Sequence, residues 1–306
     1  MTSAQVDPIA IDAGEDGQAL TVVAPRRPLR WVAVAAIAVV LAFAAYAVAT
    51  NPNFQWPVVG QYLFSPVVLS GFLMTLWLTA VAMVIGIILG VILAVMRLSE
   101  NFVISGAATA YLWFFRGTPV LVQLIFWYNL AALFPRYWVG IPFFGPTFFE
   151  GSFNDIITPY TAAILCLGLN EGAYMAEIIR GGLSSVDSGQ KDAARALGMR
   201  GGQALWRIIL PQSMRFIIPP TGNQTIGMLK NTSIVSIVAL ADLLYAVQTI
   251  YSRTFQTIPL LLVAVFWYLF ATTILSIIQA RIEKFFSRGY DQNAAMHAIE
   301  EPPQQS

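Results

Sequence analysis

The sequence predicts an all-α fold: a polytopic transmembrane helical bundle of about six spans. Of its 306 residues, 57% are apolar and only 11% are charged, and the mean hydropathy is +0.67. A soluble domain carries roughly 45–50% apolar and about 25% charged residues. The apolar residues also form runs of about 20, the length that crosses the roughly 30 Å hydrocarbon core as a helix. This composition indicates an integral membrane protein.

The same composition excludes several other classes of protein. The net charge of +1 provides no field that would attract nucleic acid, so no nucleic-acid partner is expected. The single cysteine, Cys166, excludes an internal disulfide framework and a multi-cysteine metal site. The single histidine, His297, lies in a polar tail, so a histidine triad or a zinc cluster is not expected. No cofactor and no metal is predicted.

Six apolar windows carry the predicted spans. The first and the last contain no charged residue. The third contains Arg116, the fourth contains Glu171 and Glu177, and the fifth contains Lys230 and Asp242. The windows are Trp31–Thr50, Val67–Met96, Ala107–Phe134, Pro159–Ile179, Phe216–Val247 and Ile258–Ala280.

Three stretches are expected to depart from a regular span. The fifth window should be broken at Pro219-Pro220 and Gly222, which frees backbone carbonyls for other partners. The third window has a second interpretation, in which residues 101–115 lie along the inner interface and Arg116 begins a shorter span. Residues 135–158 are rich in aromatics, Gly and Pro, which predicts an external loop at the membrane interface.

The distribution of Lys and Arg predicts that both termini face the cytoplasm. Of the 17 basic residues, 13 lie in the N-terminal tail, in the loops after the second and fourth spans, or in the C-terminal segment. Residues 1–30 are expected to form a disordered cytoplasmic tail, and residues 289–306 a cytoplasmic C-terminal tail. The first window is interpreted as a retained helix, because its polar preamble and its apolar run are both too long for a cleaved signal peptide.

The largest cytoplasmic loop, which follows the fourth span, is expected to hold two short helices. Asp187 can cap the first, with Gln190 completing a capping-box-like pattern, and Gly198 ends it. The second is expected over residues 203–210, where Pro211 stops it. The small residues in this loop would let the surface of a partner protein approach the backbone. The other interpretation is an ordinary solvated loop.

The spacing in this loop resembles the EAA loop of ABC-importer permeases. The family pattern is Glu-Ala-Ala, three residues, Gly, nine residues, then Ile-x-Leu-Pro. Every spacing matches, and the single departure is Asp for Glu, which keeps the charge and shortens the side chain by one methylene. Within the loop 187–211, the matching residues are Asp192, Ala193, Ala194, Gly198, Ile208, Leu210 and Pro211.

Three further segments resemble the polar amino-acid permeases of the histidine, glutamine, glutamate and arginine type. These segments are Phe115–Pro119, Gly168–Glu177 and Pro219–Gln224. The resemblance implies the type I ABC-importer fold for residues 67–288. Residues 31–50 lie outside it and are expected to form an extra N-terminal transmembrane helix.

The resemblance implies a permease subunit of an ATP-driven importer for polar amino acids in the bacterial cytoplasmic membrane. Such permeases work in pairs, identical or homologous, with a dimer of ABC ATPase subunits and an extracytoplasmic amino-acid-binding protein. The loop resembles the coupling helix, through which closure of the ATPase dimer drives alternating access. The chain contains no Gly-x-x-x-x-Gly-Lys-[Ser/Thr] phosphate loop, so ATP hydrolysis is expected in the partner and not in this chain.

Polar side chains inside the spans are candidates for a translocation path. An ionisable residue at mid-helix costs about 2.5–3.5 kcal/mol on insertion scales, which makes such residues functional candidates. In the hypothesis, Glu171 or Glu177 meets the ammonium of a zwitterionic amino acid, and Lys230 or Arg116 meets its carboxylate. In the other interpretation, these charges pair with each other or cap helices. The candidates are Arg116, Asn170, Glu171, Tyr174, Glu177, Asn223, Gln224 and Lys230.

Other functions compete with the importer at this stage. A secondary transporter or channel driven by an ion gradient would explain the intramembrane charges but not the spaced loop. A membrane scaffold that recruits a cytoplasmic protein would explain the loop but not the charges. A third alternative is an ABC permease for another small solute. The sequence does not identify the amino acid carried or the partner permease.

Overall fold

The computed structural model describes residues 28–140 and 147–286, which are almost entirely helical. The predicted tails lie outside the described residues up to residue 27 and from residue 287 onward. The helices are α1 (Pro28–Thr50), α2 (Trp56–Leu63), α3 (Pro66–Arg97), α4 (Phe102–Gly117), α5 (Val120–Tyr128), α6 (Leu130–Leu133), α7 (Phe153–Ile156), α8 (Pro159–Ser184), α9 (Ser188–Ala196), α10 (Gly201–Ala204), α11 (Leu210–Asn231), α12 (Leu243–Thr254) and α13 (Thr257–Phe286).

The chain divides into two compact units, one up to Phe54 and one from Gln55 onward. In the first unit, α1 covers the predicted first span and is followed by a short 3₁₀ turn at Pro52–Phe54. Every side chain of Trp31–Thr50 is exposed within the chain, and the segment is apolar throughout. An apolar helix with no buried face suits contact with lipid.

Four helices are long and apolar enough to cross a membrane among the described residues: Trp31–Thr50, Pro66–Arg97, Pro159–Ser184 and Thr257–Phe286. A fifth crossing results if Gly201–Val238 and Leu243–Thr254, bent by 46° at a short break, count as one span. By length and composition there are therefore four spans, or up to five. This is fewer than the predicted six.

The difference lies in the predicted third span, which is wrong as a continuous helix. α4 ends at Gly117, and the nine-residue α5 begins at Val120. Between them, Thr118 is extended at φ −117° and ψ 144°, the conformation favoured before a proline. Pro119 also lacks the N–H that would continue the helix. The second interpretation, a separate helix before a shorter one, agrees with this division.

The predicted break in the fifth window is also wrong in position. Pro219 and Pro220 lie inside α11, which continues to Asn231. The bend comes later, after a 3₁₀ segment, where Ala239 adopts a left-handed φ of 58°. Asp242 then starts α12 by accepting hydrogen bonds from the next helical N–H groups. Neighbouring helices supply partners near a proline inside a membrane helix, so the proline does not have to break it.

The aromatic segment before α8, for which the sequence predicts an external loop, contains a β-hairpin. β1 (Arg136–Gly140) pairs antiparallel with β2 (Thr147–Ser152), with Trp138 opposite Glu150. The connecting residues 141–146 lie outside the described residues. Aromatic side chains favour a pleated, half-exposed surface, which explains the strands. Over the described residues, the fold is thus helical with one small hairpin.

The core of the second unit forms around α3 and α8. One group of buried side chains joins these two helices to α5 and α11, and includes Leu78, Leu124, Leu167 and Ile217. A second group joins α2, α3, α12 and α13. This packing fixes α8 and α11, the two helices that carry most of the candidate path residues.

Candidate functional site

A polar cavity of about 500 Å³ lies where the α4–α5 junction meets α8 and α11. It contains five of the eight candidate path residues. Its lining is Arg116, Gly117, Thr118, Pro119, Val120, Asn170, Glu171, Tyr174, Gln224 and Asn231. The helix break at Gly117–Pro119, which only the second interpretation of the third window anticipated, therefore forms one wall of the cavity.

Hydrogen bonds from two amides hold this broken wall in place. The Nε2 atom of Gln123 donates to the carbonyls of Phe115 (3.1 Å) and Thr118 (3.2 Å) and to the Thr118 hydroxyl (2.7 Å). The Nδ2 atom of Asn170 donates to the same Phe115 carbonyl (2.8 Å) and to Gln123 Oε1 (3.2 Å). The amides thus satisfy carbonyls that the broken helix leaves without their usual partners.

Gln123 is a functional candidate that the sequence analysis missed. Its side chain is buried, with 4% of the residue exposed, and it links the cavity wall to α8 through Asn170. The available signal was a single polar residue within the otherwise apolar α5. A polar side chain inside a membrane helix marks a partner or a cavity.

The two charged residues of the cavity wall are not paired with each other. Glu171 is 4% exposed, and its Oε1 atom is buried without a hydrogen-bond partner in the described part of the chain. The guanidinium carbon of Arg116 lies 5.6 Å from the centre of the Tyr174 ring, a cation–π contact. A buried carboxylate without a partner is costly.

Three candidate residues lie outside the cavity lining. Glu177 forms an ion pair with Arg180 one turn along α8, and Asn223 accepts a hydrogen bond from Gln279 of α13 (3.1 Å). Lys230 is exposed within the chain and does not line the cavity. The charge of Glu177 is therefore paired within α8, with Arg180 and not with another candidate residue.

The first helix of the loop 187–211 forms as predicted. Asp187 caps α9 by accepting a hydrogen bond from the N–H of Gly189 (2.7 Å). The capping box is not formed, because the Oε1 atom of Gln190 instead accepts a hydrogen bond from Gln212 of α11 (3.4 Å). Gly198 ends the helix at a φ of +72°, in the left-handed region that favours glycine.

The second helix of the loop differs from the prediction. α10 covers only Gly201–Ala204 and passes through a π-helical turn, Leu205–Ile209, directly into α11. Pro211 lies in the first turn of α11 and does not stop the helix. The loop is therefore continuous with the membrane helix that carries Gln224.

The loop presents both small and large apolar groups at its surface. Ala193 and Gly198 are exposed, whereas Ala194 is buried within this chain and is not available to a partner. Leu197 and Trp206 are 78% and 71% exposed, and the sequence analysis did not single them out.

Comparison with known proteins identifies the family of this chain. Residues 86–288 match the family described as the inner membrane component of binding-protein-dependent transport systems. The chain belongs to this family. As a binding-protein-dependent permease it is a multi-pass membrane subunit for transport and not an enzyme. The match covers α8, α11, α13 and the cytoplasmic loop.

Individual relatives fit the same assignment. The arginine transport system permease protein ArgU of Corynebacterium glutamicum is 43% identical over 267 residues, covering 86% of this chain and 82% of that protein. The glutamine transport system permease protein GlnP of Escherichia coli is 30% identical, covering 76% and 97%. A solved amino acid ABC transporter with histidines superposes with a TM-score of 0.63 at 35% identity, covering 74% of this chain and 96% of that chain.

Proposed function

We propose that this permease is the membrane subunit of an ATP-driven importer for polar amino acids. An extracytoplasmic binding protein delivers the substrate, a dimer of ATPase subunits supplies the energy, and a second permease, identical or homologous, completes the path. The names of the relatives support this substrate class, since they include arginine and glutamine permeases and an amino acid ABC transporter. The termini face the cytoplasm, as the distribution of basic residues predicts.

The proposed substrate class rests on the polar cavity. Its lining holds one acid, Glu171, and one base, Arg116, and its other polar side chains are hydroxyls and amides. This charge pattern is complementary to a zwitterion. The ammonium of the substrate binds the carboxylate of Glu171, and its carboxylate binds the guanidinium of Arg116. The amides of Asn170 and Gln224 supply neutral hydrogen bonds to the rest of the molecule.

The loop 187–211 is the proposed docking site of the ATPase. The exposed side chains of Leu197 and Trp206 enter a groove on that subunit, with Ala193 and Gly198 allowing close approach of the backbone. Because the π-helical turn leads straight into α11, a displacement of the loop moves α11 as well. Gln224 on α11 belongs to the cavity wall, so the displacement changes the shape of the substrate site.

Uptake by two α8 variants tests this assignment. The chain is reconstituted in proteoliposomes with its ATPase and binding protein, as wild type, Glu171→Gln and Glu177→Gln, and uptake of L-arginine and L-glutamine is measured. Glu171→Gln should reduce uptake at least about tenfold, because a charged hydrogen bond is worth about 1.5–3 kcal/mol. Glu177→Gln is the matched control from the same helix and should retain most of the uptake. Equal loss in both variants would contradict the role of Glu171.

A further inference from the structure

The contact between α3 and α8 is interlocked through glycines on both helices. Gly86 and Gly90 lie four residues apart on α3, and Gly168 and Gly172 lie four residues apart on α8. A β-carbon at Gly168 would lie 2.8 Å from Ile85, and one at Gly172 would lie 2.9 Å from the β-carbon of Leu89. Side chains of α3 therefore fill the space that the α8 glycines leave. Small residues of this spacing allow two membrane helices to approach closely.

Side chains of α8 fill the opposite gaps on α3. Met175 crosses Gly90, where a β-carbon would lie 2.5 Å from the β-carbon of Met175. Glu171 crosses Gly86, where a β-carbon would lie 2.5 Å from its Cγ and 2.8 Å from its Cβ. Four side chains thus fill the glycine gaps along this seam between α3 and α8, and three of them, Ile85, Leu89 and Met175, are apolar. The fourth is a carboxylate.

The carboxylate at this packing position has no structural partner that would explain it. Its Oε1 atom is buried and accepts no hydrogen bond from the described residues, and an apolar side chain would fill the same gap without that cost. The aliphatic part of Glu171 is held against the backbone of α3, and the residue lines the polar cavity. The close helix contact therefore determines where the carboxylate lies.

We infer that Gly86 is a positioning residue for substrate binding: its missing side chain holds the Glu171 carboxylate at the point where it receives the substrate ammonium. This inference rests on the proposed function, because it requires Glu171 to bind substrate. Gly86 itself does not touch the ligand. Any side chain at position 86 displaces Cγ of Glu171, and with it the carboxylate.

Two alanine variants of α3 separate positioning from packing. Gly86→Ala and Gly90→Ala each place a β-carbon 2.5 Å from an α8 side chain. At Gly90 the new β-carbon also lies 3.0 Å from the α8 backbone, so this variant disturbs the seam at least as much. Binding of L-glutamine, L-arginine and the analogue of each that lacks the α-amino group is measured on the permease–ATPase complex in nanodiscs, without binding protein. Gly86→Ala should weaken amino-acid binding at least about tenfold and leave the binding of the analogues unchanged. Gly90→Ala should change neither.

Two acidic-site variants keep the inference testable if the Gly86 variant does not assemble. Glu171→Asp introduces no new contact in the seam but withdraws the carboxylate by one methylene, and it should bind amino acids as weakly as Glu171→Gln. Wild-type binding by Glu171→Asp or by Gly86→Ala would overturn the positioning role, as would equal losses in Gly86→Ala and Gly90→Ala. Wild-type binding by Glu171→Gln would instead overturn the proposed substrate site itself.

Discussion

Two carboxylates on α8, six residues apart in the sequence, lie in opposite surroundings. Glu177 is about one-third exposed and paired with Arg180, so its charge is compensated within the chain. Glu171 is buried against α3 and its Oε1 atom has no partner among the described residues. Asn170, Tyr174 and Glu177 lie at positions i, i+4 and i+7 and so share one helical face, but this spacing alone does not show which of them line a cavity. The neighbouring helices decide this.

Gly198 has the most restrictive backbone conformation in the loop 187–211, because it ends α9 in the left-handed region. Its N–H donates to the carbonyl of Arg195 (2.9 Å), and the N–H of Met199 donates to that of Ala194 (3.0 Å), which together form a Schellman cap. A β-carbon at Gly198 would meet no neighbouring atom, so its φ of +72° is the constraint.

The loss of loop stability on substituting Gly198 should therefore depend on how well the new residue tolerates a left-handed backbone, and not on the size of its side chain. Gly198→Ala should destabilise the loop by about 1–2 kcal/mol, and Gly198→Asn by less, because Asn tolerates this conformation. Limited proteolysis of the loop and pull-down of the ATPase subunit measure the effect. Gly201→Ala, at a glycine with open space and no left-handed φ, is the control. Equal effects of Ala and Asn at position 198 would show that the cap is not the constraint.

At the scale of elements, the side-chain amide of Gln279 links α13 to α11 by hydrogen bonds. The Nε2 atom of Gln279 on α13 contacts the Pro219 carbonyl (3.2 Å), Asn223 Oδ1 (3.1 Å) and Glu283 Oε1 (2.7 Å). Gly222 makes room for it, since a β-carbon there would lie 2.6 Å from Cδ of Gln279. This contact joins α11 to α13 beside its two prolines.

Loss of this amide should loosen α11 from α13. Gln279→Leu keeps the volume and removes the donor, and it should lower stability by about 0.5–1.5 kcal/mol, in the range of hydrogen bonds between membrane helices. The thermal midpoint of the purified permease measures this. Ser276→Leu, at an exposed position of the same helix, should leave the midpoint unchanged. A Gln279→Leu midpoint equal to that of wild type would mean that the contact contributes no stability.

The elements that the sequence predicted well are those in which local pattern decides the structure. Apolar length predicted the helices of the first, second, fourth and last windows, and Asp187 and Gly198 predicted the ends of α9. The predictions failed where packing against other parts of the chain overrides a local signal. Pro219 and Pro220 do not break α11, whereas Thr118-Pro119 breaks a window whose apolar content favoured one helix. The cavity combines α4, α5, α8 and α11, so no single segment could reveal it.

At the scale of the whole molecule, one continuous path links the loop 187–211 to the cavity. The loop leads through a π-helical turn into α11, and α11 reaches the cavity at Gln224 and ends at Asn231. Facing it, α8 is interlocked with α3 through their glycines, so Glu171 lies on a fixed wall. We therefore propose that the substrate site opens and closes by movement of α11 against the α3–α8 pair.

The energy source of uptake tests the central claim of this account most directly. Proteoliposomes that contain the permease with its ATPase and binding-protein partners are supplied with L-arginine or L-glutamine, first with ATP on the cytoplasmic side and then with a sodium or proton gradient alone. We expect uptake only when both ATP and the binding protein are present, with none from either ion gradient. Uptake that follows an ion gradient without ATP would contradict the importer assignment and identify a secondary transporter.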